Sequence, residues 1–439
     1  MERLYLETNE HRKASECFLI IGGNHLNGEV EIDCAKNSLL PIIAATILVE
    51  GEVELRKVPL YSDVLVMCDI IRHLGGKAVF NGENLIIDCS GLDKNCLPNE
   101  LSASVRSSIF TLGPILGRMR SAKVAYPGGC DIGLRPIDLH LKGVRELGAK
   151  VVEKNGYIYA SGEKLKSGDI ILSFPSVGAT ENLMMLAVAI EGETRIFNPA
   201  REPEINDLQD FINACGGDVS GAGSNAIVIK GGKKLHGTSF KAMPDRIETG
   251  TYIIASVMCG GEVVLKNCNP QHNNALLSKL SKTACKITAK DDIIKIEARS
   301  RPISFGEVET AVYPGFPTDL QAPMTALASV SDGYSLVVEN LFEARSKHVG
   351  ELLKMGCDIK TRNGITIING REKLYGADVF SPDLRGGASL VLAGLVAEGY
   401  TTIENIKLID RGYYKLAEKL QRLGGDIKRL EISRRGCDS

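Results

Sequence analysis

One phrase recurs six times along the chain, and it restricts the fold more than any other feature of the sequence. Each copy ends one apolar segment at a small residue and then continues into an alternating run, at intervals of about 70 residues. The copies begin at residues 73, 146, 214, 282, 354 and 422 and read HLGGKAV, ELGAKVV, ACGGDVS, KTACKIT, KMGCDIK and RLGGDIK. A glycine after a helical pattern, followed by alternation, predicts a helix, a C-terminal cap and a strand.

A second phrase repeats at the same interval and predicts a turn followed by a strand. Its copies are EGEVELRKV (50–58), SAKVAY (121–126), EGETRIFN (191–198), GGEVVLKN (260–267), DGYSLVVEN (332–340) and EGYTTIEN (398–405). An apolar segment of helical length precedes each copy and is apolar on nearly every side, which predicts a buried helix. The repeating unit is therefore helix, strand, helix, strand, with one extra strand before the next copy.

The number of copies predicts two domains of three units each. A chain of 439 residues exceeds the roughly 250–300 residues at which single cores stop growing. A boundary near Met243 divides the copies equally, so we expect one domain over residues 34–243 and a second over 1–33 and 244–439. The second domain is expected to be discontinuous because a strand around 17–22 precedes the first copy and has no partner in it.

Composition and charge indicate an ordinary soluble protein. The chain is 44% apolar and 24% charged, with a formal net charge of −2, and this balance predicts neither a nucleic-acid nor a membrane partner. No apolar run approaches the ~20 residues of a membrane-spanning helix. The first sixteen residues are charged throughout, unlike a signal peptide, so we expect a cytoplasmic location.

The cysteines and histidines predict no metal site. Twelve cysteines are scattered without a Cys-x-x-Cys pair, and none of the seven histidines lies at helical spacing from another. Free thiols in a reducing compartment fit this pattern. Most of the cysteines lie in apolar segments and are expected to act as small buried residues.

Cations stand at the starts of several predicted buried helices: Lys36, Arg106, Arg246 and Arg385. A positive side chain opposes the helix dipole there, which points to an anionic ligand as its counter-charge. Arg135, Arg345 and Arg411 would add to the field, and phosphate is the anion class that arginine and lysine suit best. For any single helix a solvated surface charge is the alternative. Neither a phosphate-binding loop of the ATPase type nor a dinucleotide-binding glycine motif is present.

The loop PGGCDIGLRP (127–136) places Cys130 among three glycines and two prolines. Glycine and proline are typical of turns, and a cysteine in a turn need have no function. The alternative is a flexible lid that carries a reactive thiol over a bound ligand.

Eight ordered motifs resemble those of the enolpyruvyl transferases, in particular the branch that acts on UDP-N-acetylglucosamine. They are AKNSLLP, PGGCDIGLRPIDLH, PSVGATEN, REPEI, PDRIETGT, FPTDLQA, DLRGGASLVLAGL and IDRGY, and the resemblance extends from about residue 20 to 427. It implies an inside-out α/β barrel of two domains, each holding three βαβαββ-type repeats, with the helices inside and the sheets outside. It also implies a motion from an open to a closed form around the substrates.

The reaction implied by the resemblance is the first committed step of peptidoglycan precursor synthesis. Phosphoenolpyruvate donates its enolpyruvyl group to the 3-hydroxyl of the sugar in UDP-N-acetylglucosamine, and phosphate leaves through an addition and elimination route. The partners are these two small molecules, and no metal or organic cofactor is implied.

The same resemblance assigns the candidate catalytic residues. Asp319 matches the base that takes the hydroxyl proton, and Cys130 matches the acid that protonates the donor methylene. A thiol with a pKa near ~8.5 is mostly protonated at neutral pH and can donate. Lys36 and Arg411 complete the catalytic set, and they hold phosphoenolpyruvate together with Arg135, with Arg385 close by. A cysteine at position 130 also implies alkylation by fosfomycin, which relatives with aspartate there escape.

The remaining candidates are substrate-binding residues. Asn37 matches an asparagine beside the lysine, and Arg345 belongs to the predicted field of cations. The contacts implied for UDP-N-acetylglucosamine are Arg106, Arg135, Pro136, Ile137, Asp138, Leu139, Phe174, Ser176, Val177, Asp319 and Leu341. Some relatives have lysine where Phe174 stands, so only a backbone contact is expected at this position.

Two alternatives remain open from the sequence. One is 5-enolpyruvylshikimate-3-phosphate synthase, which shares the fold and the donor but uses a smaller phosphorylated acceptor. The other is a non-catalytic paralogue that binds a UDP-sugar without turnover. A paralogue of this kind predicts loss of Lys36, Cys130, Asp319 or Arg411, and all four are present.

Overall fold

Among the described residues, six buried helices form the interior of the molecule, and six outer helices and one short helix accompany them. Both inner and outer helices contact the sheets. The computed structural model describes residues 15–128, 132–133 and 136–432. The helices in chain order are α1 (Lys36–Ala45), α2 (Ser62–His73), α3 (Asn99–Ser104), α4 (Leu112–Met119), α5 (Asp138–Glu146), α6 (Val177–Val188), α7 (Pro203–Ala214), α8 (Arg246–Cys259), α9 (Asn274–Leu280), α10 (Gln321–Val330), α11 (His348–Lys354), α12 (Leu384–Val396) and α13 (Leu416–Arg422).

The inner helices are α1, α4, α6, α8, α10 and α12, and they follow from the apolar segments of the repeat. Every residue of α8 and of α10 is buried, which agrees with their apolar character on all sides. Polar caps hold three of their N-termini. Asp245 accepts hydrogen bonds from the backbone N–H groups of Ile247 and Glu248 (2.7 and 2.9 Å), Asp383 caps α12, and Ser176 caps α6.

The second inner helix begins later than the sequence pattern predicts. Residues 106–111 form a 3-10 helix, and α4 starts only at Leu112. The other 3-10 turns are Thr46–Leu48, Pro270–Asn273, Thr318–Leu320 and Ile406–Leu408. Arg106 therefore opens a tighter turn, whereas Lys36 is the first residue of an α-helix.

The small residue of the recurring phrase lies after an outer helix in every copy. These residues are Gly75, Gly148, Gly216, Ala284, Gly356 and Gly424, and each has a positive φ between 62° and 100°. Glycine adopts this left-handed conformation without steric cost, which explains why five of the six positions hold it. The outer helices that end there are α2, α5, α7, α9, α11 and α13.

The strands form six four-stranded sheets and one two-stranded ladder. In chain order they are β1 (Ser15–Ile21), β2 (Leu26–Glu31), β3 (Val49–Glu50), β4 (Glu52–Leu55), β5 (Lys77–Asn81), β6 (Asn84–Asp88), β7 (Cys96–Leu97), β8 (Ser121–Ala125), β9 (Lys150–Lys154), β10 (Tyr157–Ser161), β11 (Asp169–Ile171), β12 (Gly192–Phe197), β13 (Val219–Ser220), β14 (Ala226–Gly231), β15 (Leu235–His236), β16 (Ser239–Phe240), β17 (Gly261–Lys266), β18 (Lys286–Lys290), β19 (Ile293–Ala298), β20 (Glu307–Glu309), β21 (Tyr334–Val338), β22 (Asp358–Arg362), β23 (Ile365–Asn369), β24 (Asp378–Phe380), β25 (Tyr400–Glu404) and β26 (Asp426–Ile432).

All six sheets have the same arrangement. An edge strand runs parallel to its neighbour, and the next two strands are antiparallel. The orders are β16-β4-β6-β5, β7-β8-β10-β9, β11-β12-β14-β13, β2-β17-β19-β18, β20-β21-β23-β22 and β24-β25-β1-β26. The helices lie inside and the sheets outside, but these are separate open sheets. No closed barrel occurs among the strands described. The barrel implied by the resemblance is therefore not formed by continuous hydrogen bonding between the sheets.

Three strands come from elsewhere in the chain than the unit they complete. Strand β1 pairs with β25 and β26 of the last unit, with Cys17 opposite Glu404 and Leu430. Strand β2 completes the fourth sheet, and β16 returns to complete the first. The expected strand near residue 20 thus closes the last repeat.

Two separate hydrophobic cores result from this exchange. The first contains buried residues between 34 and 242, and the second contains residues between 18 and 32 and between 247 and 427. From these two cores we propose that the chain has the two predicted domains. They are here called the first lobe (34–243) and the second lobe (15–33 and 244–432). The two connections run side by side, because Cys34 and Pro244 form an antiparallel bridge. No helix in the described ranges is both long and apolar enough to cross a membrane.

Candidate active site

Asp319 lies at the start of an inner helix of the second lobe and pairs with two arginines. Asp319 is part of the 3-10 turn that leads into α10. Oδ1 accepts a hydrogen bond from Nη2 of Arg345 at 2.5 Å, and Oδ2 accepts one from Nη2 of Arg385 at 3.1 Å. The two arginine side chains are 5% and 3% exposed, whereas a quarter of the Asp319 side chain (25%) remains accessible. The carboxylate is thus the accessible member of a buried ionic cluster.

The surrounding cations keep this carboxylate ionised. Burial alone would raise the pKa of Asp319, but the guanidinium groups of Arg385 and Arg345 outweigh it. With a smaller contribution from Lys36, they hold the pKa of Asp319 well below its usual range. Since Lys36 belongs to the first lobe, the positive field around Asp319 comes from both lobes.

A second ionic cluster joins the lobes through Asp63, at the start of α2. Its Oδ2 lies 3.2 Å from Nζ of Lys36, and its Oδ1 lies 2.9 Å from Nε of Arg411. Asp63 is 5% exposed, Lys36 10% and Arg411 17%, so all three charges are largely removed from solvent. Burial acts to raise the pKa of Asp63, but Lys36 and Arg411 together lower it.

Asp245 brings the first helices of the two lobes together. Besides capping α8, it accepts a 3.3 Å hydrogen bond from the backbone N–H of Lys36, the first residue of α1. Two helix N-termini, both positive ends of helix dipoles, therefore meet at one carboxylate. This geometry holds Lys36 at the lobe boundary.

The sequence pattern predicts an anionic ligand as the counter-charge of Arg246, but in the structure Arg246 pairs with a protein carboxylate. Its Nε lies 3.0 and 3.3 Å from the two oxygens of Glu204 in the first lobe, and both side chains are buried. The counter-charge of this arginine is a protein carboxylate. Arg246 therefore contributes an ion pair between the lobes.

Two buried guanidinium groups still have N–H donors to offer. Nε of Arg345 and Nη1 of Arg385 are buried and have no hydrogen-bond partner among the described residues. An unsatisfied buried donor on a charged group is costly, so both atoms favour an anionic or carbonyl ligand. Lys36, Arg345, Arg385 and Arg411, all predicted from the sequence, thus cluster around two carboxylates.

The residues predicted to bind the UDP-sugar lie mostly at the starts of α5 and α6 in the first lobe. Pro136 and Ile137 precede α5, and Asp138 and Leu139 are its first two residues. Phe174 is 48% exposed, Ser176 caps α6 and Val177 is its first residue. A 3.1 Å hydrogen bond between His140 and Asn182 joins the two helices, so the two runs lie side by side.

The other predicted residues are placed as follows. Asn37 is the second residue of α1 and is half-buried. Arg106 lies 3.5 Å from the carbonyl oxygen of Pro127, at the base of the glycine-rich loop. Leu341 donates its backbone N–H to Glu339 in the turn that leads to Arg345.

Cys130 and Arg135 lie outside the described residues. The described part of their loop meets the second lobe, because the N–H of Ala344 donates to the carbonyl of Ile132 at 3.2 Å. Ile132 is 4% exposed. Residue 132 is therefore buried against the same turn that carries Arg345.

Sequence reasoning missed Asp63 and Asp245. Each is an acidic residue next to a helix start, which by itself indicates only a favourable interaction with the helix dipole. Arg411, one of the two partners of Asp63, is 348 residues away in the sequence, and no local signal points to it. The one signal in the sequence is the need for carboxylates that balance the four predicted cations, and a search for such carboxylates could have found these two residues.

The charged side chains at this site pair with one another. In the part of the chain that the structure describes, no group of three or more His, Cys, Asp or Glu side chains could hold a metal ion. The clusters at Asp319 and Asp63 are each balanced by arginine or lysine.

Comparisons with known proteins identify the family of this chain. The family model of EPSP synthase (3-phosphoshikimate 1-carboxyvinyltransferase) matches residues 20–420. A curated protein of Caldanaerobacter subterraneus subsp. tengcongensis, UDP-N-acetylglucosamine 1-carboxyvinyltransferase 2, is 46% identical over 94% of this chain and 99% of its own length. UDP-N-acetylglucosamine 1-carboxyvinyltransferase 1 of Carboxydothermus hydrogenoformans is 45% identical over 94% and 98%.

The fold is also found in solved structures. The enolpyruvyl transferase NikO from Streptomyces tendae superimposes with a TM-score of 0.86 at 23% identity, over 96% of this chain and 100% of that one. At this identity the likeness concerns the fold alone.

Proposed function

The chain belongs to the EPSP synthase family of carboxyvinyltransferases, and from the names of its relatives at 45–46% identity we propose that it acts on UDP-N-acetylglucosamine. The enolpyruvyl group of phosphoenolpyruvate is transferred to the 3-hydroxyl of the sugar, and inorganic phosphate is released. This is the first committed step of peptidoglycan precursor synthesis, and we place it in the cytoplasm. The family model carries the name of the shikimate enzyme, but relatives at 45–46% identity act on the UDP-sugar by their names, so the shikimate alternative is not favoured.

The observation that carries the proposal is the position of Asp319. Its carboxylate is held between Arg345 and Arg385, and the positive field of Lys36 reaches it from the other lobe. A hydroxyl that is to attack a carbon atom needs an acceptor for its proton, and a doubly anionic donor needs cations beside that acceptor. This site supplies both across one lobe boundary.

Asp319 acts as the base in this scheme. The depressed pKa ensures that the carboxylate is ionised throughout the neutral range, but it also makes the group a weak base while both arginines are bound. An anionic donor that takes over hydrogen bonds from Arg385 would withdraw part of this stabilisation. Asp319 thereby becomes a stronger proton acceptor at the moment when the donor is in place.

Lys36, Arg411 and Arg385 hold the donor. Lys36 and Arg411 share Asp63, which fixes both cations at one point, while Nη1 of Arg385 is a buried donor with no partner among the described residues. Their charges stabilise the negative charge that moves onto phosphate as it leaves. Because Arg411 belongs to the second lobe and Lys36 to the first, donor binding requires both lobes together.

The reaction balances with two protein groups. In the addition, the sugar oxygen bonds to C2 of the donor, Asp319 takes the hydroxyl proton and the methylene C3 gains one. In the elimination, C3 returns a proton to the group that protonated it, and the bond between C2 and the phosphate oxygen breaks. Phosphate leaves with that electron pair and with the proton that Asp319 had taken. On the resemblance alone, Cys130 supplies the proton to C3, and Arg135 assists in holding the donor.

We assign the acceptor to the first lobe. Arg106, the run 136–139 and the run 174–177 offer backbone and side-chain groups beside the starts of α5 and α6, where backbone N–H groups favour a diphosphate. Leu341 lies in the turn that leads to Arg345, where its N–H donates to Glu339, and it contacts the acceptor from the second lobe in this scheme.

Phosphate release tests the proposal directly. The purified protein is incubated with phosphoenolpyruvate and either UDP-N-acetylglucosamine or shikimate 3-phosphate, and free phosphate is measured. Release that depends on the UDP-sugar is expected. Release with shikimate 3-phosphate alone would favour the shikimate enzyme, and binding of the UDP-sugar without release would favour a non-catalytic paralogue.

A further inference from the structure

Glu339 organises the turn that follows β21 in the second lobe. Its Oε1 accepts hydrogen bonds from the backbone N–H groups of Leu341 and Phe342, at 2.8 and 3.0 Å, and from the hydroxyl of Thr310 at 3.0 Å. The side chain is half-buried. One carboxylate oxygen therefore fixes the backbone at the start of residues 341–345.

The other oxygen of Glu339 begins a chain of contacts to Asp319. Oε2 accepts a 2.7 Å hydrogen bond from the hydroxyl of Thr318. That hydroxyl in turn accepts a 2.9 Å hydrogen bond from Nη1 of Arg345, whose Nη2 lies 2.5 Å from Asp319. Thr318 has a single proton to donate, and the acceptance by Glu339 orients it so that its lone pairs face Arg345.

Both ends of Arg345 are thus set by Glu339. The backbone of Arg345 follows the turn that Oε1 holds, and its guanidinium is held by the hydroxyl that Oε2 orients. The same turn also meets the first lobe through the 3.2 Å hydrogen bond from Ala344 to Ile132. The Arg345 side chain is 5% exposed, so its guanidinium has little freedom to find another partner.

We propose that Glu339 is a positioning residue for the reaction, because it fixes Arg345 against the base Asp319 through Thr318. This inference rests on the proposed function for its kinetic readout. Glu339 itself touches neither substrate in this scheme, and its effect is transmitted through the geometry of one guanidinium group. Misplacement of a catalytic group by about 1 Å can cost roughly a hundredfold in rate.

A purely structural role for Glu339 makes a different prediction. Loss of turn stability would lower the midpoint of thermal unfolding and the amount of active protein, but it would leave the acidity of Asp319 unchanged. Loss of positioning lets Arg345 move away from Asp319, which raises the pKa of that carboxyl toward its ordinary value, because a nearby cation favours the charged form.

The first experiment compares Glu339→Gln with the matched control Glu309→Gln, which alters an exposed glutamate on the neighbouring strand β20. Glu339→Gln is expected to lower kcat for phosphate release by roughly tenfold to a hundredfold with a smaller change in KM, the range typical for a hydrogen bond that places a charged group. The control is expected to match the wild type. Wild-type kcat in Glu339→Gln would overturn the proposal.

The second experiment does not depend on turnover. The carboxyl of Asp319 is titrated by NMR with 13C-labelled aspartate, and its signal is assigned by its absence in Asp319→Asn. In Glu339→Gln the apparent pKa of Asp319 should rise by roughly one unit or more. Thr318→Val removes the hydroxyl that connects Glu339 with Arg345, and it should raise the pKa of Asp319 as well. An unchanged titration in Thr318→Val overturns the proposal even where Glu339→Gln fails to fold.

The two readouts separate this inference from the proposed function. A wild-type protein that releases no phosphate with either acceptor refutes the function, whereas the titration of Asp319 still tests Glu339. A wild type that is active, with a normal titration in both variants, refutes the positioning role alone.

Discussion

Arg411 and Asp63 form an ion pair between the two lobes, with Nε of the arginine 2.9 Å from Oδ1 of the carboxylate. Asp63 also holds Lys36, so one acidic residue of the first lobe places a cation from each lobe at the same point. Neither lobe alone could present both cations to a small anion.

Replacement of Asp63 by asparagine should weaken both stability and turnover. It leaves two largely buried cations without a counter-charge, which costs about 3 kcal/mol in the free energy of unfolding. Turnover should fall because Lys36 and Arg411 lose their shared anchor. The matched control is Asp69→Asn on the same helix, where the pair with Arg72 is exposed (57% and 46%) and is worth at most about 1 kcal/mol. The free energy of unfolding of both variants is measured by urea unfolding. An equal loss in the two variants would contradict the role of Asp63 as a buried counter-charge.

Replacement of Asp319 by asparagine should remove the chemistry while the protein still folds. The amide cannot accept the hydroxyl proton, so kcat should fall by roughly a hundredfold to ten-thousandfold. Circular dichroism should show the wild-type secondary structure, with a lower unfolding midpoint because Arg345 and Arg385 lose their counter-charge. Robust phosphate release by this variant would exclude Asp319 as the base.

Stability should decrease on acidification because of His348. This ring at the start of α11 is fully buried, and neither nitrogen has a hydrogen-bond partner in the described ranges. Burial lowers its pKa to about 4. The charge of Asp383 and the backbone of Arg345 oppose this shift, and the guanidinium charge of Arg345 adds to it. The unfolded chain, with a pKa near ~6.5, binds a proton that the folded chain does not, so stability is lost as the pH falls through this window.

The loss attributable to His348 is roughly 2 kcal/mol between pH 7.5 and 4.5. In His348→Asn, which cannot titrate there, the difference in unfolding free energy between the two pH values should shrink by about that amount. The exposed His236→Asn serves as control and should keep the wild-type difference. An unchanged pH dependence in His348→Asn would show that other groups are responsible.

Fosfomycin should add covalently to one cysteine, Cys130. Eight of the ten cysteines in the described ranges are buried, and burial raises the pKa of the Cys34 and Cys68 thiols to about 12, which suppresses their reactive thiolate form. Peptide mapping should locate the adduct on the peptide that contains residue 130. Cys96→Ser should leave labelling intact, whereas Cys130→Ser should abolish it and greatly slow turnover while binding of UDP-N-acetylglucosamine persists. A label elsewhere would contradict the role of Cys130.

Much of the fold is readable from the repeat, because the repeat is a local signal. A glycine such as Gly75 marks the end of a helix by its conformation alone, and the apolar segment of α8 marks a buried helix by its composition. The strand around residues 17–22 has no partner in the first copy of the repeat, which predicts that it pairs elsewhere, and in the structure it completes the last sheet.

The ionic partners of the cations at the site could not be predicted from the sequence. Lys36, Arg345, Arg385 and Arg411 stand out because cations near helix starts and in turns are unusual, but their counter-charges come from distant segments. The pairing of Arg246 with Glu204 and that of Arg411 with Asp63 depend on how two lobes meet. Such contacts are set by tertiary packing, which the local pattern does not encode.

The exchange of β1 and β2 into the second lobe also affects the order of events during synthesis. Domains generally fold as units while the chain is being made. The first lobe is contiguous, so it can assemble while the ribosome is still translating the rest. Strand β1, although made first, must wait for β26 at Asp426–Ile432 before its sheet is complete. A nascent chain released before that point would expose the edges of β1, the kind of surface that chaperones bind.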